Sequence, residues 1–381
     1  MNVTLREIKD NLLHKWWFDR HNRSVFEKIL WVPVKICNHL PFPFNKYFIK
    51  IIDRIGLLIF RFFHVLSTLF SPYYLLEGIE KQSTKKIKIL YKGNPSSFKF
   101  ITNRVYQNSY KIKRLSKRQG KKICKKKENN YKEKPDVFII KSDMFYQSYL
   151  QKKGHIIIPE YVTFLLDTTR SIEHIINNVS IDTQKDIKKA QHTNYSFEVH
   201  SDRETFDFFY FQMYLPYTQW KHKKSDRIAS YATIIHLQAQ GAELLIIKND
   251  KDYIFGGIFH KVKNIMRTYY AGLKKNKFSH LHNGIMALSY YYLITIAKKR
   301  NCKFIDFGTS QPFIDDGLYK YKKKWNMEIV QSSPYSSDIF AIKIIHNQFI
   351  FDKFITHHPV HYFDNQKIRL LKKNINYSKE S

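Results

Sequence analysis

Apolar residues cluster in the second half of the chain, in short runs whose spacing predicts alternating strands and helices. DVFIIKS and GHIIIPEYVTFLLDTT are rich in β-branched residues and punctuated by Gly154 and Pro159, which predicts strands. SIEHIINNVSIDTQKDIKKAQHT then opens on Ser171, a residue suited to capping a helix, and closes on Lys185, Lys188 and Lys189, charges that suit a helix carboxyl end. A further helix is expected over residues 204–215, stopped by Pro216. GAELLIIKN, DYIFGGIFHKV and NIMRTYYAGL follow, separated by Asn249-Asp250-Lys251 and Lys263-Asn264, a pattern of antiparallel strands joined by tight turns. Residues 284–300 are almost wholly apolar until Lys298, Lys299 and Arg300, which predicts a buried helix crossing a sheet, and KFIDFGTS returns as a strand.

The first half is patterned differently. In and beside residues 55–70, Arg54, Arg61, His64, Thr68 and Ser71 recur at helical intervals opposite a broad Ile, Leu and Phe face. Such a helix either packs on its own domain or lies flat on an anionic membrane surface. Residues 111–134 are half Lys or Arg with few apolar positions, which predicts a solvated Lys-rich loop, free to attract the phosphates of RNA or lipid. Four regions are therefore expected: an aromatic-rich helical region over 1–110, that loop over 111–134, a strand-and-helix domain over 135–345 and a tail over 346–381. This organisation is α/β, or mixed α+β.

Composition narrows the class. With 381 residues, 43% of them apolar, the chain can bury a large core, and global disorder is excluded although the formal net charge is +33. Cys37, Cys124 and Cys302 are too few and too scattered for a disulfide framework or a zinc spacing, and the cluster His357-His358-x-x-His361 lacks Cys or Glu at ligand spacing, so it is read as surface histidines and no metal is expected. Glu7, Asp10 and Asp19 interrupt the amino end where an export signal needs an apolar core, and Arg61 and His64 break the most apolar stretch below bilayer-spanning length, so a cytoplasmic protein, peripheral at the inner face of the cell membrane, is expected.

The candidate chemistry gathers where a crossover should bring the entrance of the second long helix and the end of the last strand to one sheet edge. His282, Asn283 and Gly284 open that helix, with Lys274, Lys275 and Lys277 upstream, a combination suited to an anion. On the last strand Asp306 sits in an otherwise apolar run, where a carboxylate either bonds a loop or serves as a base or the support of one. FIDDGLYKYKKKW gathers Asp315, Asp316, Tyr319, Lys320, Tyr321 and Trp325 around Gly317.

Residues 136–345 resemble the FemABX and BioF2-like branch of the GNAT acyltransferase superfamily. The resemblance is carried by TQKDIKKAQHTNYSFEV, DFFYFQMYLPYT, IFGGIF followed by YYAGL, and above all FIDFGTSQPFIDDGLYKYKKKW. It implies a GNAT-like mixed sheet, split by a V-shaped opening and flanked by helices, in which an acyl donor lies along a splayed strand and an amine approaches from the other side. It also implies acyl-CoA as donor, acetyl-CoA first among them, with its phosphates at His282, Asn283 and Gly284, near Lys274 and Lys275. FemABX relatives use aminoacyl-tRNA instead, and a charge of +33 suits that donor. The resemblance assigns Lys320 to the transferred acyl group, where an ammonium can hold an oxyanion. An alkylamine acceptor of pKa about 10.4 costs roughly 4.6 kcal/mol to deprotonate at pH 7, so Asp306 or His236 is expected to help, and Tyr270 or Tyr319 to return a proton to the leaving thiolate. The acceptor is expected to be an amine of a cell-envelope or polysaccharide precursor. The alternative from another class is a non-catalytic protein that binds nucleic acid or anionic lipid.

Overall fold

The computed structural model describes residues 65–66, 68–81, 84–125, 134–222, 228–331, 338–345, 348–364 and 367–371. In chain order its strands are β1 (Tyr73–Glu80), β2 (Lys86–Lys92), β3 (Tyr106–Leu115), β4 (Val137–Asp143), β5 (Ile156–Pro159), β6 (Val162–Asp167), β7 (Tyr195–His200), β8 (Glu243–Asn249), β9 (Asp252–Val262), β10 (Ile265–Leu273), β11 (Phe304–Ser310), β12 (Glu328–Gln331), β13 (Asp338–Ile344), β14 (Val360–Asp364) and β15 (Lys367–Leu371). Two compact units divide the described residues. A central unit comprises Phe164–Gly308 and Lys322–Glu328, and a flanking unit comprises Thr309–Tyr321 with the residues before Phe164 and after Glu328; the names refer to sequence position.

The seven-stranded sheet has the order β12-β6-β11-β10-β9-β8-β7 and belongs chiefly to the central unit. The meander expected from the sequence is present: β7, β8, β9 and β10 are antiparallel neighbours, and Asp250 and Lys263 take the left-handed conformation that their tight turns require. The helix Ile285–Lys299 follows β10, and β11 returns parallel to it. Pro216 does not stop the preceding helical stretch. That stretch runs Arg203–Phe208, widens into a π turn at Phe209–Tyr214 and continues as Leu215–His222, because the wide turn has already displaced the hydrogen bond that a proline would break.

The flanking unit holds an eight-stranded sheet of order β15-β14-β5-β13-β4-β2-β1-β3. Its β1 is antiparallel to both β2 and β3, while β2 is parallel to β4. One face buries Leu76, Ile89, Tyr91, Phe98, Phe100 and Phe340, with Phe100 stacked on Phe340 at 4.2 Å; the other buries Tyr73, Leu75, Leu90 and Leu115. Residues 73–110, expected to be helical, thus contain three strands, since lysines on the solvated positions of KIKILYK obscure the alternation of Ile87, Ile89 and Tyr91. Nor is 111–125 a loop: it comprises the end of β3 and the helix Lys117–Lys125, whose Gly120 lies against the Tyr73 ring. The expected tail supplies the helix Gln348–His357 and two strands of this sheet. Of the cationic stripe expected near residue 60, Arg54, Arg61 and His64 lie outside the described residues, as do Cys37 and residues 126–133.

One charged cluster is enclosed here. Lys141 Nζ lies 2.9 Å from Asp338 Oδ2, 3.4 Å from Glu160 Oε2 and 2.8 Å from Ser97 Oγ. Burial, reinforced by the negative charge of Asp338 and opposed by Lys141, pushes the Glu160 carboxyl up from 4.5 to about 7. The folded protein therefore binds this proton more tightly than the unfolded chain does. The resulting stability is complete below pH 4.5 and is lost as pH rises through about 7. Melting temperatures measured across that window should fall with rising pH, and Glu160→Gln, which keeps a donor in place without titrating, should flatten the slope; an unchanged slope would contradict the assignment.

Candidate active site

Within the central sheet the pairing of β10 with β11 is short. β10 pairs with β11 only through Ile265–Phe304, Met266–Ile305 and Arg267–Asp306, although β10 runs on to Leu273 and β11 to Ser310. Beyond Arg267 and Asp306 the strands part. Two features shape the β10 side. Its register against β9 shifts between Thr268 and Ala271, so that Tyr269 and Tyr270 together face one β9 position, the mark of a bulge. Farther along, Gly272 pairs with Gly256, and a side chain on Gly272 would lie 2.6 Å from Tyr214 Cα, while one on Gly256 would lie 2.5 Å from the Phe209 ring. The paired glycines let the π turn press against the sheet where β10 bends.

The β11 side turns at Gly308, which has φ +75°. Asp306 stabilises that turn: its Oδ1 accepts the Gly308 N–H at 2.8 Å, and its Oδ2 faces Arg267 Nε at 3.8 Å. Thr268 Oγ1 donates to the Asp306 carbonyl at 3.2 Å. A methyl group added to Gly308 would lie 3.8 Å from both the Thr268 carbonyl oxygen and Lys322 Nζ. Lys322 is only 3% exposed, and its ammonium lies 5.5 Å from the centre of the Phe164 ring, within reach of a cation–π attraction. The parted strands therefore form a narrow wedge with a cation beside its β11 wall.

Lys322 escaped the sequence reasoning, which singled out Lys320. The two lie on the helix Gly317–Lys323, where a separation of two residues turns side chains to nearly opposite sides. Lys320 is exposed. Tyr270 is half-buried beside Tyr214, with ring centres 5.4 Å apart. His236 is exposed on the helix Tyr231–Ala239, 2.9 Å from Gln240 Nε2. Tyr319 and Lys320 belong to the flanking unit, Asp306 and Tyr270 to the central one. Burial pushes the Tyr319 phenol up to about 12, and its hydroxyl meets His361 Nε2 at 2.8 Å. The histidine cluster is accordingly more than surface: His361 is 8% exposed and His358 bonds Asp315 at 2.6 Å, because the backbone of residues 312–314 pairs with that of 359–361.

At the helix entrance the expected anion ligands are engaged in local packing. Lys274 and Lys277 both hold the Asp252 carboxylate, and Lys189 Nζ donates to the His282 carbonyl at 2.7 Å. Asn283 bonds Tyr195. Gly284 has φ +76°, and a side chain there would overlap the Asp186 carbonyl, so the absence of a side chain serves contact with the helix Ile181–Gln191. Lys275 is exposed. Among the described residues no three His, Cys, Asp or Glu side chains are grouped to hold a metal ion, and no helix is long and apolar enough to cross a membrane.

No protein-family model matches the chain, and no curated protein does. Among solved structures it aligns with FemX at 14% identity over 75% of this chain and 91% of that one, TM-score 0.39. L-PGS from Bacillus licheniformis aligns at 10% identity over 74% and 84%, TM-score 0.36, and a tandem GNAT protein from the clavulanic acid biosynthesis pathway at 9% identity over 68% and 77%, TM-score 0.30. With all three scores below 0.5, the chemistry is argued from the wedge itself. The class defined by the coordinates is a mixed α/β chain with mixed sheets flanked by helices, one of them split between two strands.

Gly284→Ala tests the packing reading of the helix entrance. The left-handed φ and the overlap with Asp186 should together cost about 2–5 kcal/mol, read as a lower urea midpoint. A variant as stable as the parent would mean that the two helices are not in backbone contact there.

Proposed function

We propose that the protein is an N-acyltransferase whose donor lies in the wedge between β10 and β11. The single observation that carries this reading is the loss of pairing beyond Arg267 and Asp306, with Lys322 enclosed beside the opening. Where the two strands part, an extended acyl arm can enter and bond to backbone as an added strand does. The donor we assign is an acyl-CoA, acetyl-CoA first among them, and the acceptor an amine of a cell-envelope or polysaccharide precursor. The neutral amine nitrogen bonds to the acyl carbon, the carbon–sulfur bond breaks, the thiolate leaves, and the proton lost by nitrogen passes through water to replace the one that Tyr270 gives up. Lys322 stabilises the oxyanion formed on the way. Asp306 orients this site through Gly308 and Arg267, and we assign Tyr270 the return of a proton to the thiolate. Tyr319 is the weaker nominee, since a phenol at about 12 meets a thiolate of pKa about 8.5 with an uphill transfer. Lys320, on the exposed side of its helix, is assigned to approaching anionic groups.

A second reading is favoured by a particular surface. Residues 106–125 hold eight Lys or Arg and no Asp or Glu, and Lys111, Lys113, Arg114, Lys117, Arg118, Lys121 and Lys122 are exposed. Phe70, 66% exposed, lies beside Lys117, whose Nζ is 4.7 Å from the ring centre. Such a surface suits anionic lipid at the inner face of the cell membrane and supports a peripheral location; it equally suits tRNA, the carrier of the donor in the aminoacyl alternative.

Acetyl-CoA or aminoacyl-tRNA turnover with a panel of amines tests the first reading. Lys322→Ala should lower kcat by about a hundredfold or more, the scale of losing one oxyanion donor, while Lys320→Ala should cost less than about tenfold. The reverse order would return the role to Lys320. For the surface, changing Lys117, Lys121 and Lys122 to Glu should abolish sedimentation with phosphatidylglycerol vesicles while leaving kcat on a soluble amine unchanged. Retained vesicle binding would contradict the lipid assignment, and loss of tRNA binding alone would select the aminoacyl donor.

A further inference from the structure

Trp220 is 53% exposed at the end of the helix Leu215–His222, an unusual position for the largest apolar side chain. It is nevertheless held in place. Its ring centre lies 4.6 Å from that of Phe278, with the planes 33° apart, and 6.0 Å from that of Tyr217, whose own ring packs on Phe278 at 5.8 Å. Tyr217 is buried and anchors the group. Phe278 begins the short turn Phe278–Asn283, which leads directly into the helix Ile285–Lys299. The platform is thus fixed beside the segment that opens the long helix.

Cations outnumber carboxylates around it. Lys221 adjoins Trp220 in sequence, with its Nζ 3.3 Å from the Tyr217 hydroxyl, and Lys274, Lys275 and Lys277 immediately precede Phe278. The nearby carboxylate, Asp252, has both oxygens taken, Oδ1 by Lys274 and Oδ2 by Lys277 at 2.9 Å. Lys275 and Lys221 are exposed. An open aromatic plane bordered by cations matches a planar base that carries phosphate, since the base stacks on the ring and the phosphate meets the ammonium groups.

We propose that Trp220, backed by Phe278 and Tyr217, is a stacking platform for the adenosine end of the acyl donor. The inference rests on the acyltransferase reading, and it deepens that reading by naming the part of the donor recognised outside the wedge. Both donors considered above end in the same chemistry: CoA in a phosphorylated adenosine, and aminoacyl-tRNA in the adenosine that bears its acyl group. The platform selects for that shared end.

Calorimetric titration of the full chain with adenosine bisphosphate, CoA, phosphopantetheine and a short RNA ending in CCA tests it. Trp220→Ala should weaken adenosine bisphosphate about tenfold or more, the scale of one lost stacking partner, and Trp220→Phe should restore most of the affinity, which guards against a folding defect. If CoA is the donor, its affinity falls in step while phosphopantetheine is unaffected; if tRNA is, the CCA strand follows instead. Adenosine bisphosphate bound equally by parent and Trp220→Ala, or not bound by the parent at all, overturns the platform. Failure of the underlying reading is distinct: Trp220-dependent nucleotide binding in a protein that transfers no acyl group from either donor supports the platform and rejects the transferase.

Discussion

The central unit depends on a single failure of sheet pairing. Backbone N–H and C=O groups are obligatory hydrogen-bonding groups, and a strand that leaves its neighbour must find other partners or remain open to solvent or ligand. β10 and β11 separate after three residue pairs, and the residues at the fork meet part of the deficit locally. Asp306 takes the Gly308 N–H and Thr268 takes the Asp306 carbonyl. The Tyr269–Tyr270 bulge and the Gly256–Gly272 pair, against which the π turn sits, bend β10. Asp306 therefore holds the turn at Gly308 and faces Arg267 at the fork.

The excess of positive charge is distributed rather than concentrated in one place. In the central unit Glu198 is clasped by Lys248, Glu243 by Arg300, and Asp252 by two lysines. Each of these carboxylates has a cation at its own position, and the excess of cations is exposed on surfaces such as residues 106–125. Exposed pairs of this kind add little stability. Their effect is to leave the outer field positive, which concentrates polyanions and phosphorylated donors around the molecule.

The parts of this structure that could be read in advance are those set by local chemistry. β8, β9 and β10 announce themselves as apolar runs because the turns between them hold residues such as Asp250 and Lys263 that must accept a left-handed conformation. The crossover helix is equally plain, being apolar on almost every side. β2 and β3 were hidden because lysine occupies their solvated positions, so composition spoke for a loop or helix while alternation spoke for a strand. Gly284 was legible as a place needing close approach, but the approaching group, the Asp186 carbonyl, lies a hundred residues away in sequence. Lys322 was hidden for a related reason. Within KYKKKW residue type does not discriminate, and only the packing of the helix against Phe164 decides which lysine is enclosed.

An enclosed ammonium also changes what the proposed reaction asks of a base. Lys322 is enclosed, and its Nζ faces the Phe164 ring at 5.5 Å. In the proposed reaction its positive charge acts on whatever enters the wedge. A protonated amine is repelled and its pKa falls, because a nearby like charge disfavours the charged form, whereas an oxyanion developing on the acyl carbon is drawn to the same charge. In the proposed reaction the charged form of the acceptor is disfavoured and water carries its proton away. Asp306 can then remain committed to Gly308 and Arg267, which is where its two oxygens are found.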